Sequence, residues 1–500
     1  MCVFEQAISL LYIDNPVKLL LAMVVMVSHI TGARLVSARE IKIGAGLSGG
    51  YEFYEHRSGA GPVDDQKTNC DASTGPCGRG GNDNYDRFRI SPVVDILSAS
   101  SRSELHCRYE PGLRYDFDES DHDIDHDLLA TYRQSLSRIW RLELSDIFRL
   151  SDMAKDSATP ANTDDGVADD GDEVSDGYGR RSFWTNNLHF GSEYDYRRDC
   201  SVSFGYNFHI LKNRETTVFN GYEDYKKHEV TTDLNHRFTP FWRAGFSGSY
   251  SRGLFAAADD SQQSSDVVGG EDLSEYHFTA QVESELIDHN PLTLSYGYLG
   301  VDYDDENRDD SAIHNITLAW CWYINEFLLT GLGGGPSFLD VREKTGEWGY
   351  NGDLSVQYTM EKAVVLLTIH RGYSYHHFTG SDENGLQECW ESKLEYSSRL
   401  YKELSYSIYF GYRDDDVEVY GPLRGRGDRV TDKGTADSSV AVITRKKFTA
   451  GASLKYLLGR DFSLTFSYSY LDQESKRDQY DYEEHRVNLV LSYYLDLFSW

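Results

Sequence analysis

Along Asp461–Leu471 (DFSLTFSYSYL) the even positions Phe462, Leu464, Phe466, Tyr468 and Tyr470 are apolar or aromatic, and Ser463, Thr465, Ser467 and Ser469 alternate with them. A period of two is the signature of a β-strand with unlike faces. The pattern recurs in Cys200–Phe208 (CSVSFGYNF), Leu292–Leu299 (LTLSYGYL) and Glu403–Tyr412 (ELSYSIYFGY). In Arg486–Leu495 it places Val487, Leu489, Leu491, Tyr493 and Leu495 on one side. The polar face carries Ser, Thr, Gly and Asn, whereas the solvent face of a soluble sandwich carries Lys and Glu.

Connections between these runs alternate in length. Short turns fall at Thr239-Pro240, His289-Asn290-Pro291, Tyr401-Lys402 and Gly459-Arg460. Long acidic or Gly-rich stretches fall near 55–84, 151–181, 255–272, 304–310, 415–440 and 472–480. A meander with one short-turn end and one long-loop end is the layout of a bacterial outer-membrane barrel, short turns periplasmic and long loops outside. Spanning strands need only about 9–11 residues, and lipid tolerates no open sheet edge. The pattern predicts an all-β chain: one transmembrane antiparallel up-and-down barrel of about twenty strands, with a range of sixteen to twenty-two. Strands up to about residue 150 alternate less cleanly than the later ones.

The first 38 residues read differently. Lys18 precedes the apolar run Leu19–Val27, and Val36-Ser37-Ala38 has the form of a cleavage site. Residues 1–38 are therefore read as a secretory signal peptide and 39–500 as the barrel. The acidic stretch before Lys18 is long for a signal, which points to a misassigned start, with Val17 as the first residue. At the other end Trp500 falls out of phase with Leu489, Leu491 and Tyr493. Either a bulge lies near Leu495, or residues 496–500 form an appendage.

Composition narrows the function. Tyr (36) and Phe (23) are abundant while Pro (10) and Met (5) are scarce, which favours strands over helices. Net charge is −32, so phosphate backbones are repelled and nucleic acid is set aside as a partner. Of seven cysteines, Cys70 and Cys77 share a Gly-rich loop and form the candidate disulfide of an oxidising compartment.

Asp461–Leu495 resembles the closing hairpin of a β-barrel porin family of bacterial outer membranes, through Tyr468, Tyr470, Ser475, Tyr482, Arg486, Val487, Leu489, Leu491 and Tyr493. A second patch, Phe378–Tyr412, looks like that family's preceding strands through FTGSDENGL and two aromatic-rich strands. Members are often encoded beside exopolysaccharide or protein-sorting systems. The resemblance implies passage of polar material, and a polysaccharide export system as a partner. As an outer-membrane barrel the chain would also meet lipid, lipopolysaccharide and the barrel assembly machinery.

Other constellations carry little chemistry. Asp118–Asp127 (DESDHDIDHD) offers His122, His126, Asp121 and Asp125 as metal candidates, yet without a ligand-spacing motif it reads as a solvated loop. Thr163–Asp176 is acidic but lacks the calcium-loop pattern. Gly331–Pro336 has no Lys-Ser or Lys-Thr after it, so it cradles no phosphate, and Arg426-Gly427-Asp428 reads as a chance tripeptide. His370, His376 and His377, with Ser374 and Asp382 near in sequence, are a hydrolase-like grouping at a strand top. No cofactor is implied. Charges that flank or enter strands, Arg197, Lys393, Arg445 and Arg486 among them, are candidates for the lumen or its rims.

Three functional readings follow: a porin-like channel for polar solutes, a structural or adhesive barrel with acidic ion-binding loops, and a barrel hydrolase. The channel requires no reaction. Mass spectrometry of the exported protein should find Arg39 as its first residue, and peptides from 1–38 in the mature chain would overturn the signal reading.

Overall fold

The computed structural model describes residues 40–58, 83–117, 120–151, 183–213, 224–256, 272–285, 290–304, 309–342, 346–378, 385–419, 441–475 and 481–499. Among the described residues all regular structure is β. The strands are β1 (Glu40–Ser58), β2 (Asp83–Ala99), β3 (Ser103–Asp116), β4 (Asp121–Ser135) and β5 (Trp140–Ser151). Next come β6 (Phe183–Arg197), β7 (Cys200–Asn213), β8 (Asp224–Thr239), β9 (Trp242–Ala256) and β10 (Leu273–Ser284). They continue as β11 (Leu292–Tyr303), β12 (Ser311–Tyr323), β13 (Leu328–Val341), β14 (Glu347–Thr359) and β15 (Ala363–His376). The last are β16 (Gly385–Arg399), β17 (Leu404–Val419), β18 (Ala441–Leu457), β19 (Phe462–Ser475) and β20 (Tyr482–Ser499).

Each strand pairs antiparallel with its neighbours in sequence, and β1 also pairs with β20, from Lys42 opposite Ser499 to Ser58 opposite Tyr482. The sheet is thus a closed barrel of twenty strands, the number that the alternation predicts. Even-to-odd connections such as Arg197–Cys200 and Thr239–Trp242 are short and share one end. The longer connections share the other, here termed the mouth.

The two faces of the wall follow the two faces of the sequence pattern. Phe462, Phe466 and Tyr468 of β19 are exposed on the outside, as are Leu489 and Leu491 of β20. Ser467 of β19 stands opposite Asn488 and Ser453 on the inner face. An outward apolar band with a polar interior is the arrangement that lipid on one side and water on the other select.

Three of the departures from a regular ladder have local causes; two more are bulges at the short turns, at Asp195/Arg197 and Arg237/Thr239. Between β2 and β3, pairing skips from Ile90–Leu113 to Val94–Tyr109. Pro92 faces Pro111 there, and neither ring nitrogen can donate. This break lies within the early strands whose alternation is irregular. Between β12 and β13, Ile316 and Thr317 lose their partners where Pro336 enters. At the chain end, Ile43 pairs with Phe498 but Gly44 with Asp496, so Leu497 is an extra residue. That bulge returns Phe498 to the outward face, 60% exposed, and β20 carries on to Ser499. Trp500 lies outside the described residues.

Because Phe466 faces outward near mid-wall, Phe466→Arg should cost about 2–4 kcal/mol of stability in lipid vesicles. Ser467→Asn, one residue along on the wet face, should stay within about 0.5 kcal/mol. Urea titration of the two refolded variants checks the contrast, and equal costs would reverse the assignment of faces.

Candidate functional site

The candidate site is the lumen. Its charges come largely in neighbouring pairs: Arg133 with Glu143 at 3.1 Å, Arg141 with Glu193 at 2.9 Å, Lys393 with Glu395 at 2.6 Å. Asp353 of β14 meets His370 of β15 at 2.5 Å beside a groove of about 310 Å³ that Thr293, Ser355 and Thr368 help to line. Small hydroxyl side chains fill the intervals, as with Ser295 of β11 and Ser355 of β14. Such a wall offers hydrogen bonds without large obstructing side chains, and its neighbouring charges offset one another.

The mouth is different. β14 and β15 pair only from Thr359–Val364 up to Gly352–Arg371. Beyond that point residues 347–351 and 372–376 have no ladder partner in each other, although β15 and β16 stay paired up to His376–Gly385. The upper part of β15 has thus parted from β14 and folds into the lumen together with β16, which stays laddered to β17 up to Gln387–Val417. Tyr373 sits against the inner side of Gly349, where a Cβ would come within 2.7 Å of the tyrosine oxygen. The Tyr375 hydroxyl is 2.8 Å from Ser311 Oγ, three strands away on β12. Leu386 packs in one cluster with Ile313 and Leu339 of the inner wall, and Tyr373 and Tyr375 flank it.

The tip of the hairpin reaches farther. His377 is fully buried, with Nδ1 2.6 Å from Glu275 Oε1 on β10 and Nε2 2.6 Å from the Tyr303 hydroxyl on β11. A carboxylate only accepts, so Nδ1 is the donor of the first bond. Phe378 is 3% exposed in a cluster with Leu211, Tyr225 and Leu273 from the inner faces of β7, β8 and β10. A Cβ on Gly253 would meet the Phe378 ring at 2.6 Å, so glycine makes room for it. Lys227 Nζ lies 4.4 Å from the centre of the same ring. Burying Phe378 contributes about 1.5–3 kcal/mol to this seating. On the trailing strand, Gln387 donates to Asp415, which also accepts from Arg445 at 2.8 Å, and Arg413 donates to Gln387 at 2.9 Å. On the outer rim Arg252 donates to Asp304, just past β11, and holds its exposed carboxyl below the usual carboxylate range.

The residues singled out in the sequence are distributed as follows. Strand alternation sets His122 and His126 on the opposite face of β4 from Asp125. Asp125 is bound to Arg114 at 2.7 Å, and His126 Nδ1 to the Tyr109 hydroxyl at 2.8 Å. The side chain of Asp121 lies outside the described residues. Among the described residues no group of three His, Cys, Asp or Glu is placed to hold a metal. Cys70, Cys77, the acidic run 163–176, the tripeptide 426–428 and Asp382 lie outside the described residues, as does the His376 side chain. Gly331–Pro336 is part of β13. Ser374 is in β15, and His377 is held by Glu275 and Tyr303.

Of the charged candidates, Arg197 ends β6 at the short-turn rim. Lys393 faces the lumen beside Glu395. Arg445 anchors at Asp415, and Arg486 lies 3.4 Å from Glu52 and over the Tyr54 ring. Sequence reasoning missed Glu275, Tyr303 and Phe378. The one available signal was the aromatic Phe378 directly beyond the end of a strand, where a loop residue is usually polar.

The chain is similar to the FrpB iron transporter from Neisseria meningitidis (F3-3 variant) over 91% of its own length and 82% of that chain, at 7% identity and a TM-score of 0.52. It also aligns with the siderophore receptor PirA from Pseudomonas aeruginosa, at 10% identity and a TM-score of 0.45, covering 89% of this chain and 80% of that one. For Pseudomonas aeruginosa OpdQ the values are 11% and 0.39, over 92% and 98% of the two chains. The likeness to FrpB is one of fold. No protein-family model and no curated protein matches the sequence.

Asp415→Ala removes the common acceptor of Gln387 and Arg445. It should lower stability by about 1–3 kcal/mol, with Asp415→Asn costing less. Unfolding midpoints in the same lipid check this, and a wild-type midpoint for the alanine variant would show that the network holds nothing.

Proposed function

We propose that this protein is a porin-like channel of the bacterial outer membrane through which polar solutes diffuse unchanged. The observation that carries the reading is the polarity of the wall: apolar and aromatic outside, Ser, Thr, Gly and paired charges inside. A soluble protein has no use for an apolar belt around a wet interior, whereas a bilayer demands one. Twenty strands lie between the 16–18 of barrels with an aqueous channel and the 22 of barrels with a plugged lumen. The net charge of −32 adds a preference for cations and neutral solutes over anions. The resemblance of the closing hairpin to a porin family often encoded with exopolysaccharide systems favours a polysaccharide or its fragments as the solute.

The hairpin folded into the mouth favours a second reading, a closed structural or adhesive barrel. Planar-bilayer recording separates the two. A channel gives steady steps that large sugars block, and a reversal potential under a salt gradient that reports cation preference. A folded but silent barrel overturns the open-channel reading and leaves the closed one.

A further inference from the structure

We infer that the upper β15–β16 hairpin is a gate with two seats: the one it occupies inside the lumen, and a vacated one in the wall beside β14. The consequence for transport rests on the channel reading above, but the movement itself does not.

The vacated seat is defined by register. Pairing of β14 with β15 ends at Gly352–Arg371, and continuing the same ladder brings Tyr350 opposite Tyr373 and Trp348 opposite Tyr375. Those four aromatic residues fall on the outward phase of their strands. Along β15 the outward set Val365, Leu367, Ile369 and Arg371, paired with Tyr358, Val356, Leu354 and Gly352, runs on into Tyr373 and Tyr375. The alternation of β15 is thus written for the wall along its whole length, yet its last two outward residues are packed against the inner wall. Their intended neighbours are correspondingly bare. Trp348 is 76% exposed and Tyr350 56%, more than the other outward aromatics along β13 to β16. Trp348 and Tyr350 stand roughly ten residues or more above the short turn, the length that spans a bilayer. At that height four clustered aromatics form part of an outer interfacial girdle.

The edge of β14 supplies a reason to move. Residues 347–351 present ladder groups on the side that β15 has left, and at a membrane interface such groups favour a partner strand. The lumen seat supplies the opposing reason, through Phe378, Leu386 and the two bonds of His377. The two seats exclude each other, because Tyr373 and Tyr375 cannot face both ways. A pivot is present at the last paired rung. Arg371 stacks over the Tyr350 ring at 4.0 Å and donates to Glu388 at 2.6 Å, so the last paired rung is tied to the residues just beyond it on β14 and β16. Gly372 follows it directly, without a side chain to resist the bend. Bringing β15 back beside β14, with β16 still laddered to β17, would clear the inner faces of β7 to β13 at the mouth and widen the lumen there.

The test is a bridge across the vacated seat. Trp348→Cys with Tyr375→Cys, in a chain whose native cysteines are replaced, is refolded into lipid vesicles and treated with an oxidant or a short bis-maleimide. The inference expects an intramolecular crosslink in the folded barrel, a gain in single-channel conductance on oxidation, and its return on reduction. A folded barrel that never crosslinks overturns it, as does a crosslink that leaves an active channel's conductance unchanged. A crosslink with no current in either state upholds the movement and instead overturns the channel reading. As a variant that leaves β14 and β15 intact, His377→Ala with Phe378→Ala weakens only the lumen seat. It should lengthen the wide state, and unaltered dwell times overturn the proposal.

Discussion

A peptide group in hydrocarbon has no water to turn to, and every large feature of this molecule follows from that constraint. A helix solves it locally and a sheet can solve it only by closing. The β1–β20 ladder is the closure, and it joins residues from opposite ends of the described chain. Once the sheet is shut, side-chain alternation becomes a division between lipid and water. Serines that would be wasted on a soluble surface become the lining of a wet interior. The departures from the ladder also obey the constraint. Proline stands where a donor is missing at both ends of the broken β2–β3 rungs, and a bulge restores the outward phase at Phe498.

The walls were legible in the sequence because their signal is local. Ser463 to Ser469 of β19 announce their face within a few residues, and the short turn at Gly459-Arg460 announces where the strand must reverse. The strand number follows by counting. The first strands were harder to read, because Pro92 and Pro111 interrupt a ladder whose partner strand the sequence does not name. The mouth was legible only in the aromatic Phe378 beyond the end of β15. Tyr373 and Tyr375 carry the alternation of an ordinary wall strand, and nothing near them tells that they pack on Ile313 and Leu339. His377 was noticed as a histidine at the end of a strand, but its partners Glu275 and Tyr303 lie in strands far earlier in the chain. Contacts across a lumen have no period in sequence, so pattern reasoning has nothing to measure.

The lumen itself shows how a strongly acidic chain can keep a moderate interior. Arg133, Arg141, Lys393 and Arg486 each stand beside a carboxylate. Exposed pairs of this kind add little to stability. Their effect is on the field inside the barrel, which is local and alternating instead of uniformly negative. Where burial is deeper, as at Asp415, the same residue types build a fixed network and lose that freedom.

The β1–β20 ladder has a further meaning when time is considered. Every other rung in the barrel joins strands that are neighbours in the chain and can form as soon as both exist. This one joins the two strands farthest apart, so the entropy of bringing them together is the largest in the molecule. Topologies dominated by such distant contacts fold slowly. Until that seam shuts, β1 and β20 both present bare edges, each able to recruit a strand from another copy. The long register from Lys42 to Ser58 gives the correct partner many rungs with which to outcompete the wrong one. Shutting that seam is therefore also what decides whether the chain ends as a closed barrel or as an aggregate.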